Sequence, residues 1–266
     1  MAAVGRVLII AGSDSGGGAG VQADIKTVTA LGGYAATAIT AITVQNTLGV
    51  SDVQPLSGDL IAAQARAVLS DIGADVIKTG MLGGRDVVEL VAELLDEAAR
   101  PTVIDPVMAA KGGAPLLSGE ALGPMMTLLA PRAALLTPNA PEAEALTGLP
   151  VASTDDLRRA GEALLKAGAG AVLLKGGHVP GARVVDVLMT PRGETTFAAA
   201  RIESRHTHGT GCTLASACAT GLAQGMSVED AAARAWAYVQ EAIARAPGLG
   251  AGHGPLDHAW PLRGKA

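Results

Sequence analysis

The sequence predicts an α/β protein of the three-layer α/β/α kind, a mostly parallel central sheet with helices on both faces and an antiparallel hairpin at one edge. Three observations carry this. Short aliphatic runs alternate with segments of helical period along the chain. Runs such as "VLII" and "AVLLK" do not alternate polar with apolar residues, which is how strands covered on both faces read. "RVVDVLMTPRGETTFAAARI" instead sets two β-like runs around "TPRGE", the pattern of a hairpin.

Taken in order, "RVLIIAG" leads into "VQADIKTVTALGG", where Val21, Ile25, Val28 and Gly32 are spaced to share a helical face. "TAITAITVQN" leads to "DLIAAQARAVLSDIG", and "ADVIKTG" to "RDVVELVAELLDEAAR", striped by Val87, Val91, Leu94, Leu95 and Ala98. "PTVIDPVM" precedes a helix near 119–130, "AALLTPN" precedes "APEAEALTG", and "TDDLRRAGEALLKAG" precedes "AVLLKGGH". Two helices follow the hairpin, the second opened by Ser227 with Asp230 three residues on, a capping-box spacing. No linker, low-complexity tract or internal repeat interrupts the pattern, so residues 1–266 read as one domain.

Composition narrows the function. Hydrophobic residues make up 49% and charged residues 17%, a globular balance. A net charge of −5 with 2% aromatics offers neither the basic stripe nor the stacking platforms of a nucleic-acid binder. "LGGYAATAITAITV" is too short and too broken to span a membrane, and "MAAVGRVLIIAG" holds too short an apolar stretch for a signal peptide. Cytoplasm is the expected location. The two cysteines, Cys212 and Cys218, are six residues apart; on one helix that is a rise of about 9 Å, beyond the roughly 7 Å reach of a disulfide.

The strand ends are where the sequence becomes unusual. "AGSDSGGGAG", "VQN", "KTGML", "DPVM", "TPN" and "KGGH" all fall there, and ligands of open parallel sheets bind beyond the carboxyl ends of the strands. "GAGVQA" matches a dinucleotide-binding pattern but lacks the acidic residue that should follow, and no phosphate-loop motif of the G-x-x-x-x-G-K type occurs. "HGTGCT" sets the backbone amides of Gly209, Thr210, Gly211 and Cys212 at a helix opening, where unpaired donors and the helix dipole favour an anion. The same place lowers a cysteine's pKa, so Cys212 reads either as a reactive thiol or as a small buried core thiol. Cys218 reads as core.

Lys175 closes an apolar strand before two glycines, which is costly unless it meets an anion. Asp105, Glu142 and Lys175 stand at three strand ends, from which they could converge on Mg²⁺ and phosphates. The plain alternatives are a turn-forming Asp105, and an N-cap Asn139 with an early Glu142. The five histidines show no metal-ligand spacing on one helix.

Together, "AGSDSGGGAGVQADIKT", "QNT", "KTGML", "DPVM", "LTPNAPEAEALTG", "LLKGGH", "HGTGCT" and "GHGPLDHAW" strongly resemble the bacterial hydroxymethylpyrimidine/phosphomethylpyrimidine kinases of thiamine biosynthesis, in the ribokinase-like superfamily. The motifs run in order over nearly the whole chain. The resemblance implies ATP-dependent, Mg²⁺-assisted phosphorylation of hydroxymethylpyrimidine, then of its monophosphate, by a homodimer with a ribokinase-like fold. It implies that Gly12, Ala19, Asp24, Thr43, Gln45, Met81 and Val107 line the pyrimidine pocket, with Gln45 reading the aminopyrimidine edge through one amide donor and one acceptor. It implies that Lys175, Asn139, Glu142 and Thr210 sit with ATP and its metal; from the residues themselves Gly177 is taken with the nucleotide, Asp105 with the metal, and Gly209, Gly211, Cys212 and Lys175 with the transfer. Cys212 stands where many ribokinase-like enzymes carry an aspartate base, and the resemblance implies a low-pKa thiolate there that activates the substrate hydroxyl. The competing expectations are a pyridoxal or pyridoxine kinase of the same branch and a non-catalytic binding module on the same fold.

Overall fold

The computed structural model describes residues 4–263, so the first three residues of the opening run lie outside it. One nine-stranded sheet carries all the described strands, in the order β3-β2-β1-β4-β5-β6-β7-β8-β9. These are β1 (Arg6–Asp14), β2 (Tyr34–Asn46), β3 (Gly49–Pro55), β4 (Val76–Thr79), β5 (Thr102–Ile104), β6 (Leu135–Leu136), β7 (Val172–Leu174), β8 (Arg183–Thr190) and β9 (Gly193–Ala200). The six neighbouring strands β2, β1, β4, β5, β6 and β7 pair in parallel. β8 and β9 form the expected antiparallel hairpin, joined antiparallel to β7.

β1 shows why its sequence does not alternate in polarity. Leu8 and Ile10 face one apolar cluster while Val7, Ile9 and Ala11 face the other, and all five are buried. The first cluster is covered by α2 (Gly58–Ser70), α3 (Arg85–Ala98), α5 (Ala140–Thr147) and α6 (Thr154–Lys166). The second is covered by α1 (Gly20–Ala30), α7 (Thr210–Ala223) and α8 (Val228–Ala244). Burial at about 25 cal/mol per Å² drives both layers.

Three readings of the sequence need correction. β3 was not expected; it pairs antiparallel with β2 through a turn ending at Gly49, and its residues are half-buried or exposed, so no hydrophobic period marks it. Ile25 is 40% exposed, because α1 turns Val21, Asp24 and Val28 inward instead, and Gly32 lies beyond the helix end. The helix near 119–130 is broken into a 3₁₀ turn at Gly119–Ala121, the single turn α4 (Leu122–Pro124), a π-helical turn at Met125–Leu129 and a closing 3₁₀ turn at Ala130–Arg132. Pro124 and Pro131 lack the amide that an α-helix interior needs, which accounts for the irregular turns.

Candidate active site

A cavity of about 700 Å³ opens at the carboxyl ends of the parallel strands. Every site residue anticipated from the sequence lines it except Asp24. The cavity has two ends, one built by β1, β2 and β4 and the other by β6, β7 and the β8–β9 hairpin. The start of α7 lies between them.

At the first end, Gly12 meets Met81: a side chain at position 12 would come within 2.9 Å of the Met81 sulfur. Thr43 donates its hydroxyl to the Ser13 carbonyl at 2.9 Å and lies 3.2 Å from the Gln45 amide oxygen. Gln45 Nε2 in turn lies 3.2 Å from His208 Nε2, which is 2.9 Å from Asp14 Oδ2. Asp14 also accepts the amides of Gly16, Gly18 and Ala19 at 2.8, 3.0 and 2.8 Å, so one carboxylate shapes the Gly-rich loop. Burial opposes that charge, yet His208 and the amides outweigh it and hold the Asp14 carboxyl below its ordinary range. Asp14 and His208 were not picked out from the sequence. The acid inside the glycine run and the histidine opening "HGTGCT" were the available signals.

Asp24 is corrected from pocket lining to support. Its side chain is fully buried beneath the cavity, forked onto Lys78 Nζ at 3.0 and 2.9 Å and accepting the Ser216 hydroxyl at 2.6 Å. It sits in the second turn of α1, on the inward face that also carries Val21 and Val28. Lys78, also missed, is fully buried; burial works against its charge, but Asp24, with Asp105 beyond, raises its pKa.

At the other end Asn139 and Glu142 form a true capping box on α5: Glu142's amide donates to Asn139 Oδ1 at 2.9 Å and Asn139's amide to Glu142 Oε2 at 2.8 Å. Lys175 Nζ reaches Asp105 Oδ1 at 2.9 Å and Glu142 Oε2 at 3.6 Å, so the three residues do converge. Burial pushes the Glu142 carboxyl up to about 7, with Asp105 adding to the push and Lys175 opposing it. For Lys175 the balance is reversed: burial lowers its pKa, but the two carboxylates prevail and raise it. Gly177 follows in the turn after β7, and Asp186 accepts the Gly176 amide at 2.7 Å. Trp236, stacked 6.0 Å from Phe197, closes this end beneath the hairpin.

Among the described residues no cluster of three or more His, Cys, Asp or Glu side chains gathers for a metal. Asp105 and Glu142 supply two hard oxygen donors, which suits Mg²⁺ completed by phosphate oxygens and water. The residues present fit that ion.

α7 begins with Gly209 as its N-cap at φ +83, and a side chain there would strike the Gly18 carbonyl. The helix's backbone bonding begins at Thr213, whose amide donates to the Gly209 carbonyl at 2.9 Å, so the amides of Gly211 and Cys212 precede it at the cavity wall. Thr210 donates its hydroxyl to the Thr207 carbonyl at 2.7 Å. Cys212 lines the cavity as expected, but its thiol is not the low-pKa group anticipated. Burial pushes it up to about 12, with Asp24 and Asp105 adding to the push, against Lys78 and the Gly20 amide. Cys218, on the same helix, is a fully buried free thiol, and no disulfide joins the two.

Comparison with known proteins accords with this geometry. The family model described as phosphomethylpyrimidine kinase matches residues 14–257. A hydroxymethylpyrimidine/phosphomethylpyrimidine kinase from Streptomyces coelicolor is 49% identical over 256 residues, covering 96% of this chain and 95% of that one. The thiamine biosynthesis bifunctional protein ThiED of Geobacter sulfurreducens is also 49% identical, over 96% of this chain, but the chain spans only 52% of that longer protein. The crystal structure of Bacillus subtilis pyridoxal kinase in complex with ADP superposes with a TM-score of 0.91 at 36% identity, covering 98% of this chain and 100% of that one. With a family match over most of its length and near-half identity to a full-length relative, the chain belongs to the phosphomethylpyrimidine kinase family.

Proposed function

We propose that this chain, acting as one kinase domain in the cytoplasm and as a homodimer, transfers the γ-phosphoryl group of ATP to hydroxymethylpyrimidine and then to the resulting monophosphate. One observation carries the reading: Gln45, the α7 amides and Lys175 open onto a single cavity large enough for both substrates. In the first step the bond between the γ-phosphorus and the ADP oxygen breaks and a bond to the hydroxymethyl oxygen forms, the hydroxyl proton leaving to a phosphate oxygen or to water; in the second step a phosphate oxygen of the monophosphate is the acceptor and ADP is again the leaving group.

Each part of the cavity has a role. Gln45, steadied by Thr43 and His208, pairs with the aminopyrimidine edge, while Gly12, Ala19, Met81 and Val107 enclose the ring. Mg²⁺, when bound with ATP, neutralises phosphate charge beside Asp105 and Glu142. Asn139, Thr210 and Gly177 border the nucleotide. The amides of Gly209, Gly211 and Cys212 stabilise charge on the group in transfer, and Lys175 adds a fixed positive charge; preorganised donors of this kind are worth about 10²–10³ in rate each. Since little covalent chemistry is required of a kinase, positioning carries most of the catalysis. A thiol with its pKa near 12 is not a ready base, so Cys212 serves first to orient the attacking hydroxyl.

The decisive assay incubates the protein with ATP, Mg²⁺ and hydroxymethylpyrimidine and counts phosphates on the product; a diphosphate is expected. Cys212→Ala isolates the thiol, and near-normal rates in both steps would remove it from the mechanism. The second reading, a pyridoxal kinase, is favoured by the likeness to the B. subtilis enzyme. Side-by-side turnover of pyridoxal and the pyrimidine separates the two.

A further inference from the structure

The positive groups that line the cavity are nearly all engaged. Lys78 is forked to Asp24, and Lys175 is bound to Asp105 and Glu142. Arg201 donates to the carbonyls of Gly181, Gly177 and Val179 at 2.8, 2.8 and 2.7 Å. The pKa of His178 is lowered by partial desolvation and by the neighbouring charges of Lys111, Lys175 and Arg201. Lys111 differs. It lines the cavity from an exposed position, and among the described residues its ammonium makes no ion pair of the kind that holds Lys78 and Lys175.

Its setting allows movement at the tip and little at the base. Ala109 pairs with Pro115, and the Ala110 amide donates to the Ala114 carbonyl at 2.8 Å. The amides of Leu116 and Ser118 fasten the stem to the carbonyls of Met108 and Gly83, each at 2.8 Å. Beyond Lys111 come Gly112 and Gly113; Gly113 has φ +84, and nothing lies within 4 Å of where its side chain would begin. The stem continues from the strand end that carries Asp105, and the tip reaches the rim shared by Gln45 and His208.

The two steps make opposite demands on the acceptor pocket. The first acceptor is a neutral alcohol; the second is a phosphate monoester carrying about −1.5 to −2 charges at neutral pH. A cation fixed inside the pocket would be desolvated and unpaired in the first step. A lysine on a glycine-flanked loop avoids that cost, since its long flexible stem keeps the ammonium at the rim until an anion arrives.

We propose that Lys111 binds the phosphate of the monophosphorylated acceptor, making the 109–115 loop the element that adapts the site to the second transfer. This rests on the function proposed above. The test compares wild type, Lys111→Met and Lys111→Arg with the alcohol and the monophosphate as separate acceptors at saturating Mg-ATP. In Lys111→Met the ratio of kcat/KM for the monophosphate to that for the alcohol is expected to fall about tenfold or more, through KM, as for loss of a charge-assisted contact; Lys111→Arg should recover most of it. An unchanged ratio overturns the proposal. So does a constant ratio with a raised KM for ATP, read in a second series that varies ATP at saturating acceptor, which would assign Lys111 to the nucleotide's phosphates. A wild type that phosphorylates neither pyrimidine sinks the proposed function instead, and calorimetry of the monophosphate against the alcohol then decides Lys111: weakened monophosphate binding in Lys111→Met supports the role, and equal binding overturns it.

Discussion

Lys78 and Lys175 begin from nearly the same local sequence. One stands in the apolar strand "VIKT" and the other directly after "VLL", and each holds a carboxylate oxygen at 2.9 Å. Their fates differ. Lys78 has no exposed side-chain surface, while 11% of Lys175 remains open to the cavity. α7 makes the difference: Ser216 donates to Asp24 and completes the Lys78 pair, whereas Gly211 presents no side chain over Lys175, where a Cβ would sit 3.1 Å from Nζ. A buried lysine is thus sealed off or left open to the cavity according to what the covering helix puts above it.

The sharpest way to break this contrast is to remove each cation in turn. Lys78→Met strands Asp24 as a buried charge and should lower stability by about 3–5 kcal/mol in denaturant unfolding. The double change Lys78→Met with Asp24→Leu should restore most of the loss, and a single variant of wild-type stability would show the pair is not a sealed ion pair. Lys175→Met should instead lower kcat about 10²–10³-fold. A loss of fold as large as that of Lys78→Met would erase the distinction.

Smaller effects refine it. Gly211→Ala forces Lys175 to shift by a few tenths of an ångström, and a misplaced cation should cost about tenfold in kcat, since 1 Å errors can cost about 10²-fold; steady-state kinetics reads this directly. Ser216→Ala removes the donor to Asp24 and should destabilise by about 1.5–3 kcal/mol, the range for hydrogen bonds to charged groups, leaving KM for ATP unmoved. The smallest effect concerns pH. Glu142's carboxyl stands at about 7 in the fold against 4.5 as its ordinary value, so the folded protein holds that proton more tightly than the unfolded chain. The stability it contributes is complete below about 4.5 and is lost as pH rises through 7. Glu142→Gln should flatten that part of the melting profile between pH 5 and 8; an unchanged slope would place the titration elsewhere.

Helical stripes such as Val87, Val91 and Leu95, unbroken apolar strands, the Ser227 cap and the hairpin at "TPRGE" were all readable from residue order, because each is set by spacing within about 20 residues. So were Lys175, Asp105, Glu142 and the "HGTGC" turn as members of one layer, since strand ends follow from strand positions. Contacts across long separations were not readable. Ser216 meets Asp24 over 192 residues and His208 meets Asp14 over 194, and no local pattern marks such partners. The same limit explains the Cys212 thiol: helix position alone argued for a lowered pKa, but ionisation responds to the dielectric and to every charge nearby, and these exist only once the chain has closed around it.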